Sequence, residues 1–451
     1  TALGFISLLT APGTSIKNMG FFLGFGVMIA MIFSLFFIPA ALSFFNNAEI
    51  TPGSAQSETH ERHHAFLDHL TDRFTSLVIA KKNFIIVSAA ALLVFSGLGI
   101  FRVQVEADQI KYFKDNNIFV KDTRAIERHL GGVVSLDVII EGREPDKIKQ
   151  PEILQAIWDF QKFCEKQELV SYTFSIADYI RRINYVMHDN NAAYERIPGQ
   201  TEMVEGEKIS GQNQIAQYLL LYEMSGGNSI DSLADSAYSR ARISVRLKRT
   251  DTQSLKIFLA EIYPYIKTGF PGNVEVKYTN HFVRNKMSEL IVQSQTRSLA
   301  ALLVMILAVM SIMFKSPAAG ILTTIPILLA VLLNFAVMWI SGVTLNIGTS
   351  IIASVGMGVG IDYAIHYYSR FRELYNKFSD YNKTAAQALR ETAKPIMSNA
   401  LAVGTGFLVL IFSEYSVIAN MGWIISLSMI TTAVFTLTIL PALILIIEPK
   451  I

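Results

Sequence analysis

Gly356-Met357-Gly358-Val359-Gly360-Ile361-Asp362-Tyr363 sets a single carboxylate inside an apolar segment that runs from Leu345 to Tyr368. A helix crosses the hydrocarbon core with roughly 20 apolar residues, and this segment is long enough. Asp362 falls about 25 Å along that helix from its outer end, in the inner half of a membrane. An Asp at the centre of a spanning helix costs about 2.5–3.5 kcal/mol on insertion scales. Asp362 is the only carboxylate well inside any apolar segment. A carboxylate there can take up and release a proton, and a proton moving down a potential gains about 2.3 kcal/mol per 100 mV. The competing reading is an Asp hydrogen-bonded for packing alone.

The neighbours form a pattern around it. Ser354, Gly358, Asp362 and His366 recur every four residues, one slanted ridge of a helix. Gly356 and Gly360 lie beside that ridge, where small residues let a second helix approach closely. Tyr363 could donate a hydrogen bond to a carboxylate. His366 reads equally as a proton-relay partner or as a membrane-interface histidine. Asn334, Ser398 and Asn399 are polar residues in other apolar segments. They could bond Asp362 or could serve helix–helix contacts.

The rest of the chain is read from this segment outward. Apolar residues make up 51% and charged residues 17%, well under the usual quarter charged. Full spans are expected at Met19–Phe45, Phe84–Phe101, Leu299–Phe314, Ala318–Ile340, Leu345–Tyr368, Pro395–Phe412 and Ala419–Ile447, with a partial one at Thr1–Leu9. The connections 46–83 and 369–394 are rich in Lys and Arg and should be cytoplasmic. Residues 102–297 then lie on the opposite side, periplasmic in a Gram-negative cell. A helix starting near Phe282 should run without Gly or Pro into the span at Leu299.

An internal repeat accompanies the spans. Residues 1–40 slide onto 403–442 without a gap: Gly4-Phe5 on Gly406-Phe407, Asn18-Met19-Gly20 on Asn420-Met421-Gly422, Pro39-Ala40 on Pro441-Ala442. The first two segments therefore close one repeat and the last two close another, both in one orientation. Under the same 402-residue offset, the counterpart of Asp362 is expected about forty residues before Thr1.

The long insert reads as α+β. Val133–Ile140, Leu169–Phe174, Arg240–Lys248 and Val274–Tyr278 are strand candidates. Pro151–Gln167 is a helix, and Asp251 caps another through Ile266. In Arg240–Lys248 the residues Ala241, Ile243, Val245 and Leu247 alternate with Arg and Ser. The order, strand–helix–strand twice around a largely helical insertion near Ile176–Tyr222, is the split βαβ plan.

Gly358 through Tyr363 resembles the Gly-x-x-x-Asp-Tyr/Phe signature of transmembrane segment ten in the resistance–nodulation–division superfamily. Phe314-Lys315-Ser316-Pro317, His366 through Arg372, the two Pro-Ala closures and Ile176-Ala177-Asp178-Tyr179 resemble its MMPL-domain, hydrophobe/amphiphile exporter branch. The resemblance implies a polytopic α-helical membrane protein with a split βαβ, ferredoxin-like extracytoplasmic porter domain. It also implies export driven by proton-motive force, with Asp362, Tyr363 and His366 as the relay and Ser354, Gly356, Gly358 and Gly360 packing around it. The organisation is then 1–45 as the last two helices of the first repeat, 46–83 as a cytoplasmic linker with an interfacial helix, 84–101 as the first helix of the second repeat, 102–297 as the porter domain and 298–451 as the five remaining helices. Expected partners are a hydrophobic or lipid-like substrate, membrane lipids, the N-terminal half of the same protein and, on a homo-oligomeric reading, further copies. The insert is shorter than that of drug-efflux trimers and shows no docking hairpin, which argues against obligate docking to an outer-membrane channel. Two other readings share this fold: a lipid- or sterol-sensing receptor and a Sec-type translocation accessory.

Other signals are weaker. His60, His63, His64 and His69 invite a metal reading, but a solvated or interfacial helix is the better account. Nucleotide loops, nucleophile–His pairs and cysteine clusters are absent, so no enzyme, cofactor or metal is expected. No basic tract suggests nucleic acid. Cys164 stands alone and says nothing of redox compartment.

Overall fold

Backbone in lipid must satisfy its own hydrogen bonds, so apolar runs of spanning length fold as helices. The computed structural model describes residues 2–44, 71–204, 207–227, 229–249, 251–278 and 281–449. The four histidines of the expected cytoplasmic linker lie outside them. In chain order the elements are α1 (Ala2–Ile6), α2 (Thr14–Phe44), α3 (residues 71–80), α4 (Lys82–Arg102) and α5 (Ile118–Leu130). There follow β1 (Val134–Gly142), α6 (Pro151–Glu165), β2 (Val170–Phe174), α7 (Ile176–Met187), β3 (Thr201–Val204), β4 (Glu207–Ser210) and α8 (Gly211–Met224). The chain continues with β5 (Arg240–Leu247), α9 (Thr252–Thr268), β6 (Val274–Tyr278), α10 (His281–Phe314), α11 (Pro317–Ser341), α12 (Thr349–Phe378), α13 (Tyr381–Leu408) and α14 (Ser416–Ile447). These elements form two compact units, one of Thr1–Val105 with Glu289–Ile451 and one of Glu106–Ser288.

Among the described residues six helices are long and apolar enough to cross a membrane: α2, α4, α10, α11, α13 and α14. The segment Leu345–Tyr368, read as a seventh span, lies mostly within α12, which is not among the six. Its glycines, serines, Asp362 and His366 dilute the apolar content. Every residue from Thr349 to Gly358 is nevertheless buried by protein. The structural reason is position: α12 packs against α1, α11, α13 and α14. A helix shielded from lipid by other helices can carry small and polar residues at its contacts.

The 402-residue repeat is visible in space. A Cβ on Gly20 would stand 2.6 Å from the Phe5 carbonyl oxygen and 2.7 Å from Leu8 Cβ. A Cβ on Gly422 would stand 2.6 Å from the Phe407 carbonyl oxygen and 2.7 Å from Leu410 Cβ. Each of the three residues in one hairpin is the other's partner under the same offset. Both hairpins also turn through a short 3-10 segment, Ser7–Thr10 in one and Val409–Phe412 in the other.

The second unit is built on a four-stranded sheet of order β2-β5-β1-β6 with antiparallel neighbours. It contains two strand–helix–strand units, β1–α6–β2 and β5–α9–β6. In β5 the side chains of Ala241, Ile243, Val245 and Leu247 are buried, and they meet the apolar stripe Ile153, Ile157, Phe160 and Cys164 of α6 in one core. Period two on the strand and period 3.6 on the helix make that match. Asp251 caps α9 by accepting from Ser254 N at 2.9 Å. Two features differ from expectation. α5 is an additional amphipathic helix, and the hairpin β3–β4 interrupts the insertion, where no hairpin was read. Four-residue strands give too short an alternation to be seen in a sequence.

Glu106 ties the start of this unit to α9. Its carboxylate, 6% exposed, accepts from Lys111 Nζ at 2.6 Å, Thr252 Oγ1 at 2.5 Å and the Asp108 N–H at 3.0 Å. Burial pushes the carboxyl up, and these hydrogen bonds outweigh it and hold the group below its ordinary value. A depressed carboxyl adds stability above its unfolded pKa of about 4.3, and that stability is lost as pH falls through the folded value. Glu106→Ala should therefore cost the unit about 2–3 kcal/mol at neutral pH, with the gap to wild type closing in acid. Denaturant midpoints of the two proteins at neutral and acid pH check this; a gap that does not depend on pH assigns the loss to packing instead.

Candidate functional site

The site grows from α12. Its small residues let the backbone of α1 and the side chains of α14 press against its own backbone. A Cβ on Gly4 of α1 would lie 2.7 Å from Gly358 Cα and 2.7 Å from the Ser354 carbonyl oxygen. A Cβ on Gly356 would lie 2.4 Å from Ser428 Oγ, and one on Gly360 2.5 Å from Thr432 Cγ2, both on α14. Gly358 thus faces α1, while Gly356 and Gly360 face α14. Ser354 Oγ donates to Ser298 Oγ of α10 at 3.3 Å.

The polar residues of the neighbouring segments divide. Asn334 is buried on α11 and donates from Nδ2 to Ser428 Oγ at 3.0 Å, a contact between α11 and α14. Ser398 is exposed on α13. Asn399 is on the same helix and lines a cavity of about 590 Å³ between α12 and α13. Tyr363 and His366 line the same cavity. Asp362, half-buried, precedes Tyr363 on the helix. The Tyr363 ring is fully buried, and its hydroxyl has no hydrogen-bond partner among the described residues. So the structure brings Tyr363, His366 and Asn399 to one cavity and directs Ser354 and Asn334 to helix contacts.

Several residues at this cavity were not singled out from the sequence. Arg370, one turn beyond His366, donates from Nε to a Glu391 carboxylate oxygen on α13 and from Nη1 to Glu373 Oε2 at 2.5 Å. Glu391 also accepts from Gln387 Nε2 at 2.7 Å. The Arg370–Glu373 spacing of three was a readable signal on a helix; the cross-helix partner was not. Pro395 lies inside α13 and lines the cavity. With no N–H it leaves the Glu391 carbonyl without its helical partner. Among the described residues, no group of three His, Cys, Asp or Glu is arranged to hold a metal ion.

Apolar helices enclosing a carboxylate-bearing helix, with a duplicated helical hairpin, define a multi-pass membrane protein. Residues 272–450, which include α12 and its cavity, match the MMPL family model. The chain is 26% identical over 368 residues to MJ1562 of Methanocaldococcus jannaschii, covering 79% of this chain and 89% of that protein. It is 28% identical over 147 residues to the sulfolipid-1 exporter MmpL8 of Mycobacterium tuberculosis, covering 32% of this chain and 14% of MmpL8. The solved hedgehog release protein Disp of the water bear Hypsibius dujardini aligns with a TM-score of 0.63 at 13% identity, over 99% of this chain and 57% of Disp. At that identity the likeness is one of fold. These similarities are to the MMPL branch of the resistance–nodulation–division superfamily, and the family match itself spans residues 272–450.

If Arg370 and Glu391 close the cavity mouth, Arg370→Ala should open it. Asn399→Cys in the Arg370→Ala background should then react several-fold faster with a charged maleimide than Asn399→Cys alone. The native Cys164 is buried and supplies little background. Equal rates would show that the ion pair does not guard the cavity.

Proposed function

We propose that the protein exports a hydrophobic or amphiphilic, lipid-like molecule from the cytoplasmic membrane, driven by the proton-motive force. One observation carries this reading. The intramembrane carboxylate Asp362 lies on a helix packed against four others, next to a residue that lines a polar cavity. Enclosure excludes lipid, and a cavity lined by Tyr363, His366 and Asn399 can pass a proton between Asp362 and the inner surface. Protonation removes the charge, so the contacts of α12 with α13 and α14 differ between the two states. Alternation between those states would be the transport cycle. The similarity to a sulfolipid exporter supports a lipid-like substrate.

In this reading Glu106–Ser288 is the porter domain, a split βαβ fold on the outer side, and the Lys- and Arg-rich connection 369–394 is cytoplasmic. The repeat supplies the remaining partner. Gly4 packs into Ser354 and Gly358, whereas its counterpart Gly406 has no neighbour within 4 Å of a Cβ among the described residues. The helix that fills the Gly406 face is then the first repeat's equivalent of α12, with two small residues four apart and an acidic residue four further on.

Asp362→Asn in the full-length protein should reduce export to background while leaving expression and membrane insertion intact, because the amide keeps the shape but cannot release a proton. Lipid appearing outside cells that carry only the variant provides the measurement. Wild-type export by the variant would remove the carboxylate from the mechanism.

A further inference from the structure

The insertion of the second unit carries an apolar groove that the α12 site does not use. It runs between α7 and α8 and has a volume of about 240 Å³. From α7 it takes Ile183, Val186 and Met187, and from α8 Tyr218, Leu221 and Tyr222. Positions three and four apart on each helix put these side chains on facing stripes. Their exposure is large for a wall of this kind: Val186 is 49%, Met187 53% and Leu221 50% exposed. The helices themselves are firmly set. α7 starts in a capping box, with Ala177 N donating to Ser175 Oγ and Ser175 N to Asp178 Oδ2, and Tyr222 stacks edge-on against Tyr179 at 5.3 Å.

The wall's hydroxyls at Tyr218 and Ser225 are already committed. Tyr218 Oη donates to Asn184 Oδ1 at 2.9 Å and accepts from Gln214 Nε2 at 2.6 Å, and Ser225 Oγ donates to the Tyr222 carbonyl at 2.7 Å. What remains is the Tyr222 hydroxyl and one cation. Arg182 lines the groove, is exposed, and lies 5.0 Å over the Tyr185 ring. Among the described residues no carboxylate comes within ion-pair distance of it, although Arg181 beside it pairs with Glu195. Apolar walls with one unpaired cation at the edge complement a molecule that has an apolar chain and one negative charge. A protein partner fits less well, since a stable interface takes about 800 Å² on each side. Met187 adds adaptability toward chains of different shape.

We propose that the α7–α8 groove binds the chain of an anionic single-chain amphiphile, with Arg182 holding its head group. The proposal rests on the reading of the protein as an exporter of lipid-like molecules and names where such a molecule meets the second unit.

The experiment uses the full chain in lipid nanodiscs and two diazirine-bearing probes of equal chain length, palmitate and the matching fatty alcohol. Labelled peptides are located by mass spectrometry. Palmitate should label the peptides of α7 and α8 in preference to the alcohol. Arg182→Glu, a surface change, should lower palmitate labelling about fivefold and leave the alcohol unaffected, the size expected of an exposed charge contact. Leu221→Asp should abolish labelling by both probes, while Leu220→Asp, next to the groove but outside its wall, should not. If Leu221→Asp fails to fold, the Arg182→Glu comparison decides alone. Absence of labelling on α7 and α8, as when another protein surface covers them, overturns the proposal. So does palmitate labelling that ignores Arg182. Labelling is read without transport: if it persists while Asp362→Asn still exports, the groove stands and the coupling reading falls. If it is absent while Asp362→Asn is dead, the groove alone falls.

Discussion

Close approach of helix backbones around α12 is the constraint on which the membrane unit depends. Lipid tails are as apolar as leucine, so helices in a bilayer gain little from hiding apolar surface from one another. They associate where small residues let backbones touch and where polar groups pair across the contact. α12 supplies both. Gly358 admits α1, Gly356 and Gly360 admit α14, and Ser354 bonds Ser298. A Cβ at Gly356 or Gly360 would collide with α14, and one at Gly4 with α12. The same packing encloses the helix that carries Asp362.

That enclosure sorts the polar residues by task. Asn334 and Ser428 are spent as a staple between α11 and α14. Toward α13 the packing is looser. Pro395 interrupts the helical ladder, and a cavity opens that gathers Tyr363, His366 and Asn399, with Arg370 and Glu391 spanning it from one helix to the other. One face of α12 is therefore tight and structural, and the adjacent face is polar and open.

The second unit solves a different problem, that of a soluble core. β5 alternates buried aliphatics with arginines, so α6 and α9 can cover one face of the sheet. Its insertion adds α7 and α8, which contribute Ile176, Ile180, Ile215 and Leu219 to the core while leaving their outer stripes open. An amphipathic helix normally buries one stripe. These helices are apolar on more than one, and the surplus forms the groove.

The sequence by itself determined the elements whose signal is periodic or compositional. Apolar length located six long apolar helices, alternation located β5, Asp251 as a cap and Pro151 at the first helical position located their helices, and a fixed offset exposed the repeat. It also singled out Asp362, because one carboxylate in an apolar helix stands out in any reading. Hidden were α5, whose apolar face is only partly buried, and β3–β4, whose strands are too short to show a period. Partners across space were hidden as well. Asn334, Ser398 and Asn399 look alike in sequence, and only the rotation and packing of α11 and α13 decide that one bonds Ser428, one faces outward and one reaches the cavity. The physical reason is range: periodicity and capping are fixed within a few turns of chain, whereas a helix's rotation about its axis is set by all the helices around it.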